Sequence, residues 1–209
     1  MPVELVTTEG LFKLDGGEWE VTHNISLVCN DREVVVFDAA HDHEPIVEAV
    51  DGRRVKAIVL THGHNDHINA AVPLRNVVDA PILLHADDRM LWDVVWPDDE
   101  PDGAVIPGET VDVGGHSLGI LHTPGHSPGC CCFHDADSGM VMTGDTLFCG
   151  GPGATGRTYS DEPTILRSII STLLRLPLET IVHTGHGEST TIGAEREGVM
   201  DKAAELGVE

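Results

Sequence analysis

A chain of 209 residues can bury a substantial core within one domain, and a hydrophobic content of 41% argues against a disordered polymer. Its 35 acids against 12 bases give a formal charge of -23, which repels phosphate backbones and argues against DNA or RNA as a partner. No apolar run reaches the length of a membrane-crossing helix, and the start MPVELVTTEGLFKLDGG has acids where a secretory leader has bases. The expectation is one domain spanning residues 1–209, cytoplasmic, with neither membrane nor nucleic-acid partner.

Taken in chain order, apolar runs predict strands at Glu20–Cys29 and Glu33–Phe37, separated by the turn signal Asn30-Asp31. Helical periodicity follows at Glu44–Val50, a strand at Val55–Leu60, a helix over Asp66–Val77, a strand at Pro81–Leu84 and a helix over Ala86–Val95. The Asp- and Pro-rich stretch Trp96–Gly108 reads as a loop. Strands are expected at His116–His122, Cys130–His134 and Met140–Thr143, with hairpin signals at Gly114-Gly115 and Asp137-Ser138-Gly139. A Gly-rich loop, Cys149–Thr158, precedes a helix over Asp161–Leu174, a strand at Thr180–His183 and a helix over Thr190–Leu206. Meander-like strands with interspersed helices imply sheets covered by helices.

Five cysteines, an odd number, occur without an export signal, so no disulfide framework is expected. Cys130, Cys131 and Cys132 are consecutive. Neighbours along a strand point to opposite faces, so these three cannot share one tetrahedral metal and read as small buried residues.

Histidine is the informative residue: there are 13, more than Lys and Arg together. The apolar strand Ala57-Ile58-Val59-Leu60 runs into Thr61-His62-Gly63-His64-Asn65-Asp66-His67. His62 and His64 would leave the strand on a loop and point to one pocket. Asp66 and His67 would sit near the first turn of the next helix, where free N–H groups favour a carboxylate, and reach an adjacent pocket. Three later residues follow strands in the same way: His126 in Thr123-Pro124-Gly125-His126, Asp145 in Gly144-Asp145-Thr146-Leu147-Phe148, and His186 in Gly185-His186-Gly187. Loops gathered after strand ends are where a sheet edge builds a site.

The set His-x-His-x-Asp-His, Thr-Pro-Gly-His, Gly-Asp-Thr-Leu-Phe and Gly-His-Gly resembles the metallo-β-lactamase superfamily over roughly residues 20–190, most closely its hydroxyacylglutathione hydrolase (glyoxalase II) branch. The resemblance implies an α+β fold, a four-layer αβ/βα sandwich with the site at one edge of two sheets. It implies two divalent metal ions, the first on His62, His64 and His126, the second on Asp66, His67 and His186, with Asp145 bridging. Imidazole and carboxylate ligands suit zinc, the first expectation, and also iron or manganese. A metal-bridging hydroxide would attack a carbonyl carbon, with Asp66 and Asp145 as the catalytic carboxylates. Ser127 beside His126 is not needed, and no G-x-S-x-G elbow occurs. Asp38 resembles a family position that could orient a metal-bound His. His85, His116, His122, His134 and His183 read as structural, while His23, His41 and His43 have no assignment.

Arg157 and Tyr159, in Gly156-Arg157-Thr158-Tyr159, match family positions that contact the thiol carrier and could grip a substrate carboxylate or carbonyl. Two departures stand against glutathione itself. The Gly-rich loop is a few residues longer, and only the helix Thr190–Leu206 follows His186. Another low-molecular-weight thiol ester is then an equal expectation. The Gly pair usual after His67 is replaced by Asn69-Ala70-Ala71. The alternatives are a lactonase or β-lactamase-type hydrolase, and a persulfide dioxygenase with one iron on two His and one Asp. Iron content with oxygen uptake would select the last.

Overall fold

The computed structural model describes residues 3–208. A first six-stranded sheet runs, in spatial and chain order, through β1 (Val3–Leu14), β2 (Gly17–Cys29), β3 (Glu33–Phe37), β4 (Arg54–Val59), β5 (Ile82–Leu84) and β6 (Gly103–Ala104). Its first three strands are antiparallel and the rest parallel, joined by α1 (Glu44–Val50), the pair α2 (Asn65–Ile68) and α3 (Ala71–Val78), and α4 (Arg89–Val95).

The second sheet is built from β7 (Thr110–Val113), β8 (His116–His122), β9 (Cys131–Asp135), β10 (Met140–Gly144), β13 (Ile181–Thr184) and β14 (Thr190–Thr191) in that spatial order. A two-stranded ribbon of β11 (Leu147–Phe148) and β12 (Gly151–Pro152), together with α5 (Glu162–Ser171) and α6 (Ile192–Leu206), completes the chain.

Side-chain alternation along the strands sorts the core into three layers. Val34 and Val36 pack with Ile46, Ile68, Leu74 and Trp92 under the helices. Val35 and Phe37 point the other way and meet Leu118, Phe133 and Met142 between the sheets. On the far side Cys132, Val141 and Val182 pack against Ile165, Leu166 and Val199 of α5 and α6. Burial on both faces explains why β3 is an unbroken apolar run, since each such side chain contributes about 1.5–3 kcal/mol when withdrawn from water. The result is an αβ/βα sandwich. Cys131 lies in the inter-sheet layer and Cys132 under the helices, and none of the five cysteines is in a disulfide.

Several elements differ from the sequence expectation. β1 and the first turns of β2 form a long hairpin that local patterning did not reveal, because its outer face is solvated. The helix expected over Asp66–Val77 is broken at Asn69-Ala70. There the Ala70 N–H donates to Ala39 O (3.0 Å) and the Asn69 side chain accepts from His41 N–H (2.5 Å), so tertiary bonds replace the helical ladder. That is the structural use of the Asn standing where the family motif has Gly. The helix over Ala86–Val95 opens as a 3-10 turn, Ala86–Asp88, and the one over Asp161–Leu174 ends at Ser171, with a 3-10 turn at Leu173–Arg175. Both expected loops, Trp96–Gly108 and Cys149–Thr158, contain a two-residue strand, and Thr190-Thr191 is strand rather than helix. Among the described residues no helix is long and apolar enough to cross a membrane.

Candidate metal centre

The site forms where the ends of β4, β8, β10 and β13 meet. Leaving β4, Thr61 is gripped from both sheets: its carbonyl accepts from Cys131 N–H (2.8 Å), and its N–H and hydroxyl donate to the Asp38 carboxylate (both 2.7 Å). Asp38 holds a left-handed backbone (φ 58°), uncommon for a residue with a Cβ and sustained here by those bonds. Gly144 lies against the same threonine, and a Cβ there would fall 2.3 Å from Thr61 Oγ1.

His62, His64 and His126 converge. His62 Nε2 lies 3.0 Å from His64 Nδ1, which lies 2.9 Å from His126 Nε2. The proton inventory shows why this cluster suits a cation. Thr61 Oγ1 uses its hydrogen on Asp38, so it can only accept from His62 Nδ1–H (3.2 Å), which leaves a lone pair on His62 Nε2. His126 Nδ1–H donates to Ala154 O (2.8 Å), which leaves a lone pair on His126 Nε2. Two acceptors therefore flank His64 Nδ1, and all three rings are buried.

A second cluster adjoins it. His67 turns Nδ1 to Asp38 Oδ2 (2.9 Å) and Nε2 toward Asp145 Oδ1 (3.2 Å). His186 donates from Nδ1 to Thr22 O (2.7 Å) and places Nε2 3.3 Å from Asp66 Oδ2 and 3.7 Å from Asp145 Oδ1. Asp145 Oδ2 is 3.5 Å from His126 Nε2, so this carboxylate faces both clusters. Gly185 makes room for it: a Cβ there would sit 2.5 Å from Asp145 Oδ1. Asp66 Oδ1 is buried without a hydrogen-bond partner, and His67 Nε2 and Asp145 Oδ1, though 3.2 Å apart, do not meet in hydrogen-bond geometry. Buried carboxylates and imidazoles are rarely left so, and a divalent cation is the species that this donor set fits.

The titration behaviour agrees. Burial, then the neighbouring His67 and His64, holds His62 well below the ordinary range, and burial with His126 pushes His64 down to about 3. Burial pulls His67 down too, but Asp145 and Asp38 outweigh it and raise this imidazole well above its usual value. His186 is raised by Asp66 and Asp145 against its burial. Burial opposes ionisation of Asp145 and Asp66, yet His67 beside Asp145 and His186 beside Asp66 lower both carboxyls.

All seven residues expected at the site are thus brought together. Arg157 sits at the rim, its guanidinium 3.8 Å over the Trp19 ring and 5.2 Å from Phe12, whose edge approaches His64 (5.5 Å between centroids). Thr158 ties this loop to the β1–β2 hairpin through Asp15 (3.0 and 2.6 Å). Tyr159 is 53% exposed, with φ 69°.

Sequence reasoning missed Asp88. Fully buried, it accepts from Gly63 N–H (2.8 Å), Ser127 hydroxyl (2.6 Å) and Gly129 N–H (2.6 Å), so it ties the His62–His64 loop to the His126 turn. Its only local signal, an acid early in a helix, suggested nothing of the kind. The histidines expected to be structural are mixed in their surroundings. His116 pairs with Asp135 (2.7 Å), while His85 and His122 stack and, with Asp87, form a small half-exposed group whose ligand atoms also come close.

The profile of the metallo-beta-lactamase superfamily matches residues 19–186, and the chain belongs to that superfamily. The chain is 32% identical over 189 residues to hydroxyacylglutathione hydrolase GloC of Haemophilus influenzae, a match covering 83% of this chain and 89% of the relative. Among solved structures, the BLEG-1 B3 metallo-beta-lactamase superposes with a TM-score of 0.77 at 29% identity, over 91% of this chain and 97% of that one. TTHA1623, solved in a di-iron-bound form, gives 0.72 at 33% identity over 84% and 93%. The superfamily binds divalent metals and acts on small molecules, which accords with the His and Asp clusters found here.

Proposed function

We propose that this chain is a dinuclear metallohydrolase that cleaves a small thioester or related ester. His62, His64 and His126 would hold one ion and Asp66, His67 and His186 the other, with Asp145 placed to serve both. The observation that carries the reading is Asp145, one oxygen facing His126 (3.5 Å) and the other facing His67 (3.2 Å) and His186 (3.7 Å). When bound, two divalent ions supply Lewis acidity toward a carbonyl oxygen and lower the pKa of water toward neutrality.

The residues of the chain do the rest. Asp38 and the carbonyls of Ala154 and Thr22 fix the ring orientations and tautomers of His67, His126 and His186, so that a nitrogen of each faces the site. Asp66 and Asp145 stay ionised and can accept or hold a proton of water. Arg157, a cation in a strongly acidic protein, is placed at the rim to orient the acyl or carrier portion of a substrate, with Tyr159 following it in the same loop. Likeness to GloC favours a thioester of a low-molecular-weight thiol. TTHA1623, with two irons, leaves iron beside zinc as the metal.

Metal analysis of protein purified without added metal, run beside an oxygen electrode with glutathione persulfide, tests this. Two ions per chain, no oxygen uptake and turnover of thioesters are expected. One iron with rapid oxygen consumption would instead make the chain a persulfide dioxygenase.

A further inference from the structure

His23 belongs to no ligand set derived above, yet its ring is inserted against the second cluster. It is fully buried, and neither Nδ1 nor Nε2 has a hydrogen-bond partner. Its ring centroid is 4.2 Å from His67 and 4.9 Å from His186, edge-on to both. One nitrogen from each of His23, His67 and His186 can be chosen so that all three lie within 4.8 Å of one another.

This placement is built into the backbone. His23 faces Thr8 across the hairpin, with both side chains buried. On one side of it, Thr22 O accepts from His186 Nδ1. On the other, Asn24 N–H donates to Gly185 O (2.8 Å), while its side-chain amide donates to Thr184 O (3.2 Å) and Gly187 O (2.8 Å). β2 is therefore stitched to the loop carrying His186 on both sides of His23, and the imidazole has little freedom to leave. An apolar ring would fill that space without stranding a donor and an acceptor, so an imidazole with two orphaned nitrogens calls for a partner that protein atoms do not supply.

We propose that His23 is an eighth protein ligand of the metal centre, giving a ring nitrogen to the ion on the His67 and His186 side. It rests on the two-ion reading above. A nitrogen added to that position makes it richer in imidazole and shifts its preference toward zinc over manganese.

The test compares wild type, His23→Ala and His23→Phe, each stripped and reloaded with zinc or cobalt(II). Chelator competition gives the affinity of each zinc position, and proton NMR of the cobalt form counts metal-shifted imidazole N–H signals. Wild type is expected to bind two ions and to show six such signals, from His62, His64, His67, His126, His186 and His23. Both variants are expected to lose at least about tenfold in affinity at the weaker position, with one signal gone. Steric disturbance alone would weaken binding without removing a sixth signal. Two ions in wild type, five signals in all three proteins and unchanged zinc affinities would overturn the assignment and leave the dinuclear reading standing. Fewer than two ions in wild type would overturn both. Melting of the metal-free variants checks the fold, and His23→Phe is expected to melt no lower than wild type because it removes a partnerless imidazole from the interior.

Discussion

Asp38 and His67 meet through a buried 2.9 Å contact between Oδ2 and Nδ1, and the same carboxylate holds the N–H and hydroxyl of Thr61. One side chain thereby sets the exit of β4 and aims His67 Nε2 at Asp145. Asp38→Asn keeps the shape and tolerates the left-handed backbone, but its NH2 group must face either the Thr61 N–H or Thr61 Oγ1 and His67 Nδ1 together, groups that now donate to a carboxylate oxygen. The protein is expected to fold, with affinity for the second ion lowered by about 10–100-fold. Chelator competition reads this, and an unchanged affinity would remove Asp38 from the orienting role.

Asp88→Ala leaves the Gly63 and Gly129 N–H groups and the Ser127 hydroxyl without their acceptor. A loss of about 3 kcal/mol or more is expected from three stranded buried donors. Urea unfolding of the metal-free protein measures it. A loss under about 1 kcal/mol would mean that water replaces the carboxylate.

Asp145→Ala is expected to abolish turnover and metal content together, because this residue faces both clusters. Full activity with both ions retained, by elemental analysis and thioester assay, would sink the bridging assignment.

Arg157→Ala is expected to raise KM about tenfold, the equivalent of 1.4 kcal/mol, at unchanged metal content. It also uncovers Trp19, so the indole fluorescence should shift. Tyr159→Phe is expected to raise KM as well, by less, given its exposure. Kinetics identical to wild type with the natural substrate would take either residue out of the site.

Stability of the metal-free protein is expected to fall on acidification. His64 titrates near 3 in the folded chain against 6.5 ordinarily, so between those values the unfolded state binds more protons and folding weakens as pH drops. His62 and His23 act in the same direction. The lowered carboxyls of Asp66 and Asp145 add stability that is lost in stronger acid. His67 and His186 oppose this, since their raised values stabilise the fold at low pH and lose that effect as pH rises through them. Melting temperature should therefore decline from about pH 6.5 downward, and His64→Gln should flatten the decline. An identical slope in that variant would contradict the assignment.

Much of this was legible in the sequence. The motif carrying His62, His64, Asp66 and His67 follows an apolar strand, and His126, Asp145 and His186 each follow another. Strand alternation and loop placement are local properties, so sheets covered by helices and candidate ligands on loops after strands could be anticipated from residue order. The sandwich and the gathering of all seven residues were implied by the family resemblance. What depends on contacts between distant segments could not. The break at Asn69 is set by His41, the N-terminal hairpin closes over the site only through bonds such as Thr158 to Asp15, and Asp88 finds its donors in Gly63, Ser127 and Gly129. His23 is the sharpest case. Its neighbours in sequence describe an ordinary strand, and only the pairing of β2 with the loop after β13 brings its ring against His67 and His186.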